Sequence, residues 1–275
     1  TQSNFIDRLD SDDSAGVIGF DDTVSGTIDL SGFAESTIRL GTHDGVTFAT
    51  GNTITPQSDS LYRLGGGGGV MQINCVLADG AGARGLDVGT NGNVPAGIVV
   101  LGNSNTYTGD TTLNAGELRI GASDAIDDTG TLILNGGTLA SDGETDRTVA
   151  NAVEISGAVT LGDATADGVL TFTEDVTLTN NCILTVSSPV TFDGAIDDGA
   201  NSYSVTKAGD GTLTLEAVNT YDGNTAINAG TLKLGVADAL PYGLGKGNLS
   251  ILAGATLDLN GFDLDVNGLT GGGLI

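Results

Sequence analysis

The chain has 275 residues, 45 of them glycine, and carries 35 acidic against nine basic side chains, a net charge of −26. Such a charge repels nucleic-acid phosphates and anionic membranes alike. With 39% hydrophobic residues the chain is too apolar for a disordered acidic tail, and without a single Trp it must fold around small aliphatic side chains.

The acids are 29 Asp and six Glu. Asp favours turns and caps whereas Glu favours helix interiors, so this is a turn-rich chain. No apolar run is long enough to span a bilayer as a helix. Thr1 is not a native start, so the sequence reads as a processed product or an excised piece.

In chain order, Thr1 to Asp13 precede the first clear strand, with Phe5 and Ile6 among polar residues. Alternating strands are predicted at Gly26 to Leu30 and Ser36 to Leu40. Leu61-Tyr62-Arg63-Leu64 runs into five glycines, Gly65 to Gly69, which neither Lys-Ser/Thr nor a helix follows. A phosphate loop is therefore a poor reading, and close backbone packing in a tight turn a good one. Further strands are expected at Asp175 to Thr179, Gly211 to Glu216 and Ala255 to Leu259. The best helical candidates are single turns, Ala122 to Ile126 and Val236 to Leu240. Leu269 to Ile275 reads as the start of a strand that continues.

One segment recurs. Asn105 to Gly121 and Asn219 to Gly235 share ten of 17 positions, and each is followed by a one-turn segment and a Gly-x-Leu strand at Gly130 or Gly247. In both copies an Asn-Ala pair precedes a glycine, Gly116 or Gly230, where a left-handed backbone is cheap only for Gly. Leu118 with Ile120, and Leu232 with Leu234, point to one face; Glu117, Arg119, Thr231 and Lys233 point to the other. Internal repetition of short strands selects a solenoid over a sandwich or a barrel.

These residues resemble the autotransporter-associated β-strand repeat of bacterial passenger domains and giant secreted proteins. The segment from Lys207-Ala208-Gly209-Asp210-Gly211-Thr212-Leu213-Thr214-Leu215 through Leu234 carries the whole pattern; the copy from Ile98 to Ile120 lacks the Lys-x-Gly-x-Gly lead. The resemblance implies an all-β fold, a right-handed single-stranded parallel β-helix running continuously over residues 1–275, with repeat copies near 98–140 and 205–259. Each rung would take roughly 20–25 residues and rise about 4.8 Å, giving about a dozen rungs.

The function expected from this is an extracellular structural or adhesive rod at a bacterial cell surface, with a surface or polysaccharide ligand as partner. The alternative is a filament subunit that self-associates end to end; the distant alternative is a polysaccharide-degrading enzyme. An enzyme is not expected and no catalytic or cofactor-binding residue is assigned. The Gly-His-Gly and Arg-x-Lys elements of a polygalacturonase are absent, and the lone His43 lies in a turn, Thr42-His43-Asp44-Gly45. Asp12-Asp13, Asp21-Asp22, Asp127-Asp128 and Asp197-Asp198 make Ca²⁺ the cofactor to test for, although no ligand set is defined and the Gly-Gly-x-Gly-x-Asp calcium repeat is missing. The competing reading is that these pairs cap turns and keep a rod soluble. Tyr107 and Tyr221, at equivalent repeat positions, are expected to pack rather than to bind sugar. Cys75 and Cys182 sit in apolar runs without metal or redox spacing and read as buried free thiols.

Overall fold

The computed structural model describes residues 15–33, 37–89, 95–166 and 168–275. Among these there is no helix: the regular structure is short β-strands of two to five residues. Every pair of strands in register is parallel. The fold is a parallel β-solenoid. The two single-turn segments at 122–126 and 236–240 are turns.

The chain divides into two compact units, Thr1–Leu132 and Ile133–Ile275. In the first, one rank of strands takes Ala15–Gly19, Thr37–Gly41, Leu61–Leu64, Gly85–Val88 and Thr111–Leu113. A second takes Val46–Phe48, Val70–Ile73, Ile98–Leu101 and Glu117–Ile120, and Thr27–Asp29 pairs with Thr53–Thr55. The second unit has three long ranks. One includes Val153–Ile155, Val176–Leu178 and Ile196–Asp197. The next runs from Thr138–Ser141 through Ala158–Leu161, Cys182–Val186, Val205–Ala208, Thr225–Ile227 and Leu249–Ile251 to Leu269–Gly271. The last runs from Arg147–Val149 through Leu170–Phe172, Val190–Phe192, Thr212–Leu215 and Thr231–Leu234 to Thr256–Asp258.

Register stacks like on like. Leu213, Leu232 and Leu257 form one column, and Phe172, Phe192 and Leu215 another, with the two phenyl rings edge to face at 5.0 Å. Leu118, Ile120, Leu232 and Leu234 are all at most 2% exposed, so the inward face assigned from alternation is the buried one. Each such side chain contributes about 1.5–3 kcal/mol by leaving water, which is how a core without Trp suffices. Rung partners lie from 19 residues apart, Ile98 to Glu117, to 28 apart, Val70 to Ile98. The spread exceeds the expected 20–25 because loops between ranks vary while strand stacking does not.

Glycine is used where rungs touch. Gly116 and Gly230 have φ of +79° and +63°, and a Cβ on Gly230 would lie 2.4 Å from the Gly209 carbonyl oxygen. Gly65 to Gly68 all have positive φ, and a Cβ on Gly67 would lie 2.3 Å from the Thr42 carbonyl oxygen. Gly65, Gly67 and Gly69 of the five-glycine run lie against the backbone of other turns, the close packing its composition implied.

Candidate functional site

The residues singled out from sequence are for the most part spent on holding the fold. Tyr107 and Tyr221 are buried, and each hydroxyl meets a threonine four residues on, Thr111 or Thr225, at 2.6 Å. Burial pushes both phenols above their usual range. Cys75 and Cys182 are buried free thiols, and burial drives Cys182 up to about 12. His43 is exposed, its Nδ1 2.7 Å from Asp44 Oδ1.

Asp12 and Asp13 lie outside the described residues; the other three Asp pairs act on backbone. Asp21 Oδ1 accepts the His43 N–H at 3.0 Å and the Thr42 hydroxyl at 3.3 Å, and the His43 amide is the main reason its carboxyl lies below the usual range. Asp22 accepts its neighbour's N–H, from Thr23, at 2.7 Å. Asp127 Oδ1 accepts the Thr129 N–H at 3.0 Å. Asp197 accepts the Gly199 N–H and the Thr220 hydroxyl, both at 2.7 Å, and the Thr220 contact leads in lowering its pKa. Asp198 is 1% exposed; its Oδ2 accepts N–H groups from Tyr203 at 2.7 Å and Asp222 at 3.1 Å, while its Oδ1 has no partner. Among the described residues no three His, Cys, Asp or Glu side chains converge as a metal site.

Two open grooves cross the outer faces. In the first unit, Asp21, Asp22, Gly45, Thr47, Val70 and Gln72 line about 360 Å³. The second-unit groove, about 420 Å³, has no charged side chain in its lining. Its residues form two ranks across four rungs. Ser204, Asn224 and Asn248 stand just before their strands; Thr206, Ala226, Ser250 and Thr270 stand in register on them. The first rank is locked along the solenoid: Asn224 N–H donates to Ser204 Oγ at 3.0 Å and Asn248 N–H to Asn224 Oδ1 at 2.8 Å. The Asp222–Lys246 ion pair, at 2.5 Å, involves two residues that each precede that rank by two positions.

The sequence profile of the passenger-associated-transport-repeat family matches residues 96–120 and 205–234. The chain carries autotransporter passenger repeats. Over 180 residues, 65% of its length, it is 36% identical to a Brucella suis biovar 1 (strain 1330) protein described as adhesin BmaC autotransporter. Over 241 residues, 81% of its length, it is 30% identical to the probable autotransporter YfaL of Escherichia coli (strain K12). The aligned parts amount to only 4% and 18% of those two proteins. No solved structure matches significantly.

The two matched stretches overlap the copies at Asn105 to Gly121 and Asn219 to Gly235, and the structure shows what residues of the motif do. The first Asn of each repeat staples three rungs. Asn105 Oδ1 accepts the Leu77 N–H at 2.8 Å and its Nδ2 donates to the Ala125 carbonyl at 2.6 Å. Asn219 repeats this with Ile196 and Ala239, both at 2.6 Å. The lead lysine of the second repeat, Lys207, is 1% exposed and its Nζ donates to the carbonyls of Ala208, Gly209 and Ala229 at 3.1, 2.7 and 3.0 Å. Burial lowers its pKa to about 8. Sequence reasoning recognised the motif without seeing these contacts, because those between rungs join residues 20 to 28 apart through a stacking register that periodicity does not specify. The uncharged groove was missed altogether. Its one sequence signal is the change from Thr112 in the first repeat to Ala226 in the second.

Proposed function

We propose that residues 1–275 form one continuous β-helix and serve as part of the surface-exposed rod of an autotransporter passenger, presenting its outer sheet faces for adhesion. The observation that carries this reading is the pair of passenger repeats whose motif residues, Asn105, Asn219 and Lys207, are consumed in rung-to-rung stapling. A chain that spends its fixed residues on stacking and leaves its outer faces to vary suits a spacer and display element. The adhesin among its relatives supports the adhesive part. In this reading the role is non-enzymatic, and Asp21, Asp127, Asp197 and Asp198 serve the fold by accepting loop N–H groups. Beads coated with the folded chain should adhere to host cells or extracellular matrix above beads coated with an unrelated acidic β-solenoid. Equal retention of the two would remove adhesion from the proposal and leave a spacer.

A further inference from the structure

We propose that the uncharged groove over Val205–Ala208, Thr225–Ile227, Leu249–Ile251 and Leu269–Gly271 is a binding site for a neutral oligosaccharide, laid along the solenoid across successive rungs. The proposal rests on the adhesive reading above and names its ligand. In a chain of net charge −26, a groove lined only by hydroxyl, amide and aliphatic side chains departs from the surrounding surface. Among the described residues, the side chain of Asn248, the Nδ2 of Asn224 and the hydroxyls of Thr206, Ser250 and Thr270 make no hydrogen bond to protein. Asn224 is nevertheless held in place, because its Oδ1 accepts the next rung's N–H. Donors and acceptors without protein partners therefore recur at the rung spacing of about 4.8 Å, close to the advance of one hexose in an extended glycan.

The floor is made by one departure from the repeat. Where the first repeat has Thr112, the second has Ala226, flanked in register by Thr206 and Ser250. The loss of a hydroxyl and a methyl group opens the middle of the rank, where the apolar face of a sugar ring can seat over Ala226. A peptide fits this groove less well. The strands' N–H and C=O groups are already in the ladder, the groove offers no charge to anchor a terminus, and it lacks an apolar side pocket. Anionic glycans are disfavoured by the field of the whole chain. Without an aromatic platform each site binds weakly, which suits a rod that gains avidity from many copies at a surface.

The test uses the full 275-residue chain against neutral gluco-, manno- and chito-oligosaccharides from disaccharides to hexasaccharides, with an oligogalacturonate of matched length as the anionic probe. Binding is read by saturation-transfer NMR and titration. Ala226→Thr restores the residue of the sister repeat, so the melting temperature should be unchanged while affinity falls by about tenfold, the size expected from blocking a seat and losing one or two neutral hydrogen bonds. Asn248→Ala, on an exposed residue, should weaken binding similarly and decides the matter if A226T misfolds. Binding that both variants leave intact, or a preference for oligogalacturonate, would overturn the proposal. If none of the neutral oligosaccharides binds while chain-coated beads still adhere, the groove is excluded and the adhesive reading stands.

Discussion

Lys207 and Cys182 are buried groups whose burial acts on pH dependence with opposite sign. Lys207 falls from 10.5 to about 8 on folding, so between those values the unfolded chain holds a proton the folded chain has released, and stability rises with pH. Cys182 rises from 9.0 to about 12, so its contribution is complete below the ordinary thiol value and is lost as pH climbs through that window. Melting curves from pH 7.5 to 10.5 should therefore steepen downward in K207M and flatten in C182A. K207M should also cost about 1–3 kcal/mol at neutral pH, because three carbonyls lose their donor. On the acid side, Asp21, Asp79 and Asp197 have lowered folded pKa values, led respectively by the His43 amide, the Thr108 hydroxyl and the Thr220 hydroxyl. Their contribution is present above the unfolded value near 4 and disappears as pH falls through the folded values. A melting temperature constant from pH 6 down to pH 2 would contradict this.

Between strands the recurrent device is a side-chain oxygen just before a strand that accepts the N–H of the equivalent residue one rung on. Asp110 takes Thr131 N–H at 2.9 Å, Asp146 takes Val169 at 2.9 Å, Asp175 takes Ala195 at 2.8 Å, Asn181 takes Ser204 at 2.8 Å and Asn224 takes Asn248 at 2.8 Å. Asp110, Asp146 and Asp175 are committed in this way, one rung at a time. Asp175→Ala should destabilise by about 1 kcal/mol and Asp175→Asn, which keeps an acceptor, by much less. Equal losses would show that charge rather than the hydrogen bond matters. Gly230→Ala places a Cβ against the Gly209 carbonyl at positive φ and should cost about 1–3 kcal/mol, read by denaturant titration. The strands themselves were legible in sequence: alternation located Thr27–Asp29, Val176–Leu178, Thr212–Leu215 and Thr256–Asp258 to within two residues. The Asp and Asn ladder was not, because a residue before a strand reads as a turn cap whether its partner lies two residues or one rung away.

For the whole molecule, composition pointed away from helical bundles and internal repetition selected the solenoid; both follow from features that recur from rung to rung. What a particular rung binds depends on departures from the repeat, such as Ala226 for Thr112, and these look like noise until register sets Thr206 and Ser250 on either side. Architecture is therefore written redundantly in this chain and ligand choice is written once. This stretch is displayed outside the cell as part of a β-helical passenger. The most direct measurement is antibody labelling, with antibodies raised against the folded chain, of intact cells making the full-length protein, before and after brief external proteolysis. Strong labelling without permeabilisation, lost on proteolysis, is the expected result. Labelling that appears only after permeabilisation would contradict it.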